Sequence, residues 1–211
     1  MRLPLFVLSA TLIASPCLGQ SKSGSKKQLV TIGSRKSIPA EGQIEGSAGS
    51  QFTLRVQSPD GAARSTIRSV SFFIGNSGTP TQPFRVRLYK ADGAASHPGS
   101  DLLGQAVVAA AAKGGSWFTV DLTSHNLAAP PEGFFVGMEW IADGQQLQPA
   151  DTVGADFTKF QVLRPTFEFK ENRTWTYTIG RGWSLLTLIN NEGRSYNAMI
   201  KAEVDMIKGG K

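Results

Sequence analysis

"PFRVRLYKADG", residues Pro83 to Gly93, decides how the rest of the chain is read. Phe84, Val86 and Leu88 alternate with Arg85, Arg87 and Tyr89, and the run stops at Asp92-Gly93. A β-strand sends successive side chains to opposite faces, so this period of two gives one apolar side and one polar side. Asp can bond its own backbone and Gly accepts a positive φ, so the pair reverses the chain. The stretch is therefore an antiparallel strand with Phe84, Val86 and Leu88 turned inward.

The same grammar extends in both directions. Val70, Phe72 and Ile74 share a face in "STIRSVSFFIGN", as do Phe118, Val120 and Leu122 in "SWFTVDLT". Phe134, Val136, Met138 and Trp140 do so in "EGFFVGMEWIA", and Ala198, Ile200, Ala202 and Val204 near the C-terminal end. Further turns are expected at Asp60-Gly61, Gly114-Gly115, Asp143-Gly144 and Glu192-Gly193. The Ala-rich run "LLGQAVVAAAAKGG" has a helical composition, but Gly104 and the pair Val107-Val108 favour a strand. Apolar residues nowhere recur at helical spacing over three turns. Roughly nine to eleven strands with one apolar side each close into an all-β, two-sheet antiparallel sandwich.

Composition narrows the function classes. At 211 residues, 40% hydrophobic and 18% charged, the chain can bury a core of its own. Residues 1–19 carry one Arg, an apolar stretch too short to span a bilayer, and small residues before Gln20, the layout of a secretory signal. Cys17 could mark a lipoprotein instead, but Pro16 stands where a small residue is required. The expected organisation is a signal over 1–19, a Ser/Gly/Lys leader over 20–27, a single sandwich over 28–206 and a tail over 207–211. Such a chain is exported to the periplasm, outer surface or extracellular space, with no transmembrane segment in its mature form. The single cysteine lies inside the signal, which leaves neither a disulfide nor a thiol nucleophile. The formal charge of +6 is scattered along alternating strands rather than gathered among stacking aromatics, so nucleic acid is not the expected partner.

The order "IRSVSFFIGN", "FRVRLYKADG", "HPGSDLLGQ", "SWFTVDLTSHNL", "PEGFFVGMEWI", between residues 65 and 141, resembles an exported β-sandwich domain of Bacteroidetes-type bacteria. That domain is a galactose-binding-like jelly roll, often found beside carboxypeptidase-regulatory-like domains. The resemblance implies a compartment and a jelly-roll sandwich but no reaction.

Catalytic constellations are thin. His97, in Ser96-His97-Pro98-Gly99, reads as a turn residue, and His125 as a polar loop residue beside Asp121 and Ser124. Glu132, Glu139 and Glu168 show no glycosidase spacing, and Glu139, opposite in parity to Met138 and Trp140, is expected in solvent or paired with an Arg. Two isolated histidines do not make a zinc set, whereas Asp143, Asp151 and Asp156 in one polar connection could hold a structural calcium. No other cofactor is implied.

The strongest hint is aromatic. In "NRTWTYTIGRGW" Trp175, Tyr177 and Ile179 share one side, Thr174, Thr176 and Thr178 the other, and Trp183 follows a Gly-Arg-Gly turn. That side reads either as the inner lining of the sandwich or as a flat sugar-binding platform, while Trp117 and Trp140 read as core. The sequence thus leads to a non-catalytic binding module, its partner a glycan or an envelope protein and its contacts Trp175, Tyr177 and Trp183. A structural component of the bacterial envelope is the alternative, and a hydrolase comes third.

Overall fold

The computed structural model describes residues 27–36, 39–60, 62–141 and 160–208. The expected signal, leader and tail lie wholly or mostly outside these residues, as do Asp143, Asp151 and Asp156. Fourteen strands are present among the described residues, more than the nine to eleven expected, because short pairings of two or three residues add to the long ones. There is no α-helix among them, and so no helix long and apolar enough to cross a membrane.

The chain forms an all-β, two-sheet antiparallel sandwich. The first sheet has the order β1 (Lys27–Gly33), β14 (Ile200–Lys208), β3 (Ala62–Gly78), β6 (Ser116–Asp121). Two short strands, β7 (Leu127–Ala128) and β9 (Gln161–Leu163), also pair with the long β3. The second sheet has the order β12 (Gly182–Leu185), β11 (Thr174–Thr178), β2 (Gln51–Val56), β8 (Phe134–Trp140), β4 (Phe84–Lys90), β5 (Val107–Ala109). A small ladder of β10 (Pro165–Thr166) and β13 (Asn197–Ala198) completes the pairing. The Ala-rich run does supply a strand, β5, of three residues only.

Alternation fixes which side of each strand is buried. Val70, Phe72, Ile74, Ile200, Ala202 and Val204 from the first sheet face Leu54, Phe84, Val86, Leu88, Val136 and Met138 from the second, all without exposed surface. Full burial of one such side chain is worth roughly 1.5–3 kcal/mol. Phe72 and Phe84 meet edge to face across the sandwich with centroids 5.2 Å apart, and Phe84 meets Phe118 at 6.0 Å. A register shift between Glu203 and Val204 lets β3 keep both Ile67 and Val70 inward although they are three residues apart. Trp140 is fully buried and donates its indole N–H to the Gln161 carbonyl at 2.7 Å. That bond satisfies the one polar atom that burying a Trp takes from water.

Candidate functional site

The side of the second sheet that faces away from the core differs from an ordinary solvated surface. Its cross-strand register places two rows over the centre. One runs Trp183, Tyr177, Gln51, Glu139, Arg85; the other runs Leu185, Trp175, Thr53, Gly137, Arg87. Phe135 lies opposite Arg55 on β2 and Tyr89 on β4 in a third row. Five aromatic side chains therefore share a face that antiparallel sheets usually give to polar residues.

These rings interlock. Strands β4 and β12 are four spacings apart, about 19 Å on a flat sheet. Yet the Tyr89 and Trp183 rings lie 5.6 Å apart at 77°. The sheet must twist and curl toward this side, with both rings reaching across it, for them to meet. Tyr177 packs on Trp183 at 5.3 Å, and Trp175 packs edge-on against Phe135 at 6.5 Å and His97 at 6.2 Å. The expected trio Trp175, Tyr177 and Trp183 thus comes together, half-buried, on the outside of the sandwich and not in its lining. Of the two readings, lining or flat platform, the rings take neither form in full: they lie outside as a staggered cluster, because edge-to-face packing suits the ring quadrupoles better than coplanar faces. Ile179 falls in the turn after β11 and takes no part.

Beneath and beside the rings lies a polar floor. The Tyr89 hydroxyl donates to Gln51 Oε1 at 2.7 Å, and burial pushes its pKa up to about 12 against the lowering pull of Arg87. Glu139, 3% exposed, accepts from Arg85 Nη1 at 3.0 Å and Arg87 Nε at 2.5 Å, and Arg87 Nη1 reaches Asp101 at 3.0 Å. Arg85 and Arg87 thus balance Glu139 and Asp101, while Arg55 in the third row has no ion pair among the described residues. Thr53 Oγ1, Arg55 Nε and Arg85 Nε on this face have no hydrogen-bond partner within the protein. Gly137 keeps the middle row low, since a Cβ there would come within 2.5 Å of Thr53 Cγ2.

The catalytic candidates are not brought together. His97 Nδ1 lies 2.7 Å from the Pro98 carbonyl, within the turn its sequence suggested. Asp121 accepts from the Thr123 backbone at 2.8 Å and from its hydroxyl at 2.5 Å, contacts that hold its carboxyl below the usual range. It caps the turn that contains His125 and does not orient the imidazole. Glu168 accepts from Ser34 Oγ at 3.0 Å and the Arg35 backbone at 2.9 Å, Glu132 is exposed, and Glu139 is clamped by arginines as its parity suggested. No group of three or more His, Cys, Asp or Glu side chains is placed to hold a metal ion among the described residues. Trp117 is corrected from core to surface: with Phe118 inward it must point out, where Lys201 Nζ sits 4.2 Å from its ring centroid.

Sequence reasoning missed Tyr89 and Phe135 as members of the cluster. Their parity opposite Leu88 and Phe134 was legible, but only the curl of the sheet brings them to Trp183 and Trp175.

No protein-family model matches the chain, and no curated protein does. Among solved structures, it is similar to the clostridial cysteine protease Cwp84 after propeptide cleavage, at 12% identity and a TM-score of 0.49. That match covers 85% of this chain and 40% of the protease chain. A second match is a structure of the cysteine protease and lectin-like domains of Cwp84, a surface layer associated protein of Clostridium difficile. It has 10% identity and a TM-score of 0.42, covering 76% of this chain and 33% of that one. At this level of similarity neither the protease activity nor the lectin-like description extends to this chain.

Proposed function

We propose that the protein is an exported, non-catalytic binding module that holds a neutral glycan chain against the curled aromatic face of its second sheet. The observation that carries this reading is the concentration of Tyr89, Phe135, Trp175, Tyr177 and Trp183 on an outward sheet face. Aromatic rings take the apolar C–H surface of a sugar, and nearby donors and acceptors take its hydroxyls. The partly exposed side chains of Arg85, Arg87 and Asp101 supply that second half. A neutral ligand can lie over Arg85 and Arg87 without displacing the carboxylates that already pair them. A glycan array on wild type and on Trp183→Ala and Trp175→Ala tests the proposal. Selective binding by wild type that both folded variants lose supports it; binding that both retain contradicts it.

A second reading rests on Leu185, Leu188 and Ile189, which are 37%, 58% and 62% exposed at and beyond the β12 edge of the same face. Exposed apolar residues beside an aromatic cluster suit an envelope protein as partner. In that case an array is blank and a Leu188→Asp, Ile189→Asp double variant loses a cross-linked neighbour in cell envelopes.

A further inference from the structure

The outward side of the first sheet carries a hollow of different chemistry. Along β3 the residues turned away from the core are Ser69, Ser71, Phe73 and Gly75. Ser69 bonds Glu203 and Ser71 bonds Thr119, so that part of the face is a closed polar ladder. At Gly75 the missing side chain opens a depression bordered by Pro39, Phe73, Asn76, Ser77 and Arg164. A Cβ at Gly75 would stand 3.3 Å from Arg164 Cδ and from Val162 Cγ1, so the guanidinium stem crosses the hollow that the glycine leaves.

Arg164 is fixed there by its backbone. Its N–H donates to the Phe73 carbonyl at 3.0 Å, and its carbonyl accepts from Met199 N–H at 2.8 Å. Its Nη2 donates to the Ala40 carbonyl at 2.9 Å, while Nε has no hydrogen-bond partner within the protein. Phe73 on the rim of the hollow meets Trp117 edge-on at 5.5 Å, and Lys201 Nζ sits 4.2 Å from the Trp117 ring centroid. Neither Arg164 nor Lys201 is ion-paired among the described residues. The contrast with the opposite face is chemical. There Arg85 and Arg87 are clamped by Glu139 and Asp101; here the Arg164 guanidinium, without a carboxylate partner, borders the hollow beside Phe73 and the Asn76 amide, and Lys201 stands over the neighbouring Trp117 ring.

We propose that this hollow is a second ligand site, on the sheet opposite the aromatic face, that takes the anionic group of an acidic saccharide. The Arg164 charge, which no carboxylate of the described residues neutralises, attracts a carboxylate or sulfate ester, and Lys201 over the adjoining Trp117 ring adds charge without fixed geometry. The Phe73–Trp117 edge and the Asn76 amide suit the sugar that carries the anion. With the neutral chain on one sheet and an acidic one on the other, the molecule would bridge two polysaccharides.

Calorimetric titration of the full chain with oligogalacturonate, sulfated dextran and neutral dextran tests this. The expected result is binding of at least one of the two anionic probes, weakened about tenfold or more by Lys201→Gln and by Arg164→Met, and unchanged by Trp183→Ala. The carboxylate and sulfate arms identify which anion is preferred. Lys201→Gln leaves the core untouched, so it decides the matter if Arg164→Met folds poorly after losing its bond to Ala40. The proposal is overturned if neither anionic probe binds, if Lys201→Gln binds as wild type does, or if Trp183→Ala abolishes the interaction. Because the aromatic face is read through neutral glycans and Trp183, the two sites can fail independently.

Discussion

Glu139 and Tyr89 show what holds the aromatic face together at the scale of single residues. Glu139 is nearly free of solvent and bonded to two arginines that are themselves partly exposed. Removing one partner of a buried pair costs about 3–5 kcal/mol, and exposed pairs contribute far less. Between these limits, Glu139→Gln should lower stability by about 1–3 kcal/mol, read from urea unfolding midpoints; no change would place the carboxylate outside the network. Tyr89 responds to pH. Its phenol ionises near 12 in the folded chain and near 10 when unfolded, because the fold buries it. Above pH 10 the unfolded chain therefore loses its proton first, and stability falls as pH rises from 10 to 12 while staying level below that window. Burial also raises the Tyr196 pKa, so part of the alkaline loss is shared. Tyr89→Phe should flatten the curve measurably relative to wild type over the same range; an identical slope would count against the buried hydroxyl.

Strands β2, β8, β4, β11 and β12 build the face, and their legibility in sequence differs for a physical reason. In β4 and β8 the apolar parity faces the core, so Phe84 to Leu88 and Phe134 to Trp140 could be oriented from period two alone. In β11 the parity is reversed: Thr174 is fully buried and satisfied by Asn197 Oδ1, while Trp175 and Tyr177 point out. Nothing local announces that reversal, because it depends on Asn197 arriving from a distant strand to pair the threonine. For the same reason the choice between core lining and binding surface stayed open in the sequence, and the join between Tyr89 and Trp183 was invisible to it. The expected calcium loop around Asp143, Asp151 and Asp156 lies outside the described residues. Within the face, Gly137 is the element on which the low central row depends. Gly137→Ala should force Thr53 aside and destabilise by about 1–3 kcal/mol, as overpacking does. A urea midpoint equal to wild type would show that the row has room to spare.

At the scale of the whole molecule, the two outward faces are chemically unlike although both are sheet surfaces. One is aromatic, with Arg85 and Arg87 paired to carboxylates, and the other is a serine and threonine ladder beside Arg164 and Lys201. A sandwich gives each sheet one inner and one outer side, so a single core can carry two independent surfaces. The chain has four tryptophans, of which Trp175 and Trp183 lie on the first of these faces, Trp117 on the second and Trp140 in the core. They form a built-in set of reporters. The most direct measurement is therefore an NMR titration of indole ¹⁵N-labelled protein with neutral tetrasaccharides of β-glucan, xylan and mannan. At least one of these should move the Trp175 and Trp183 indole signals while Trp117 and Trp140 stay in place. Movement confined to Trp117, or no movement with any of the three, would contradict the aromatic face as a site for neutral glycan.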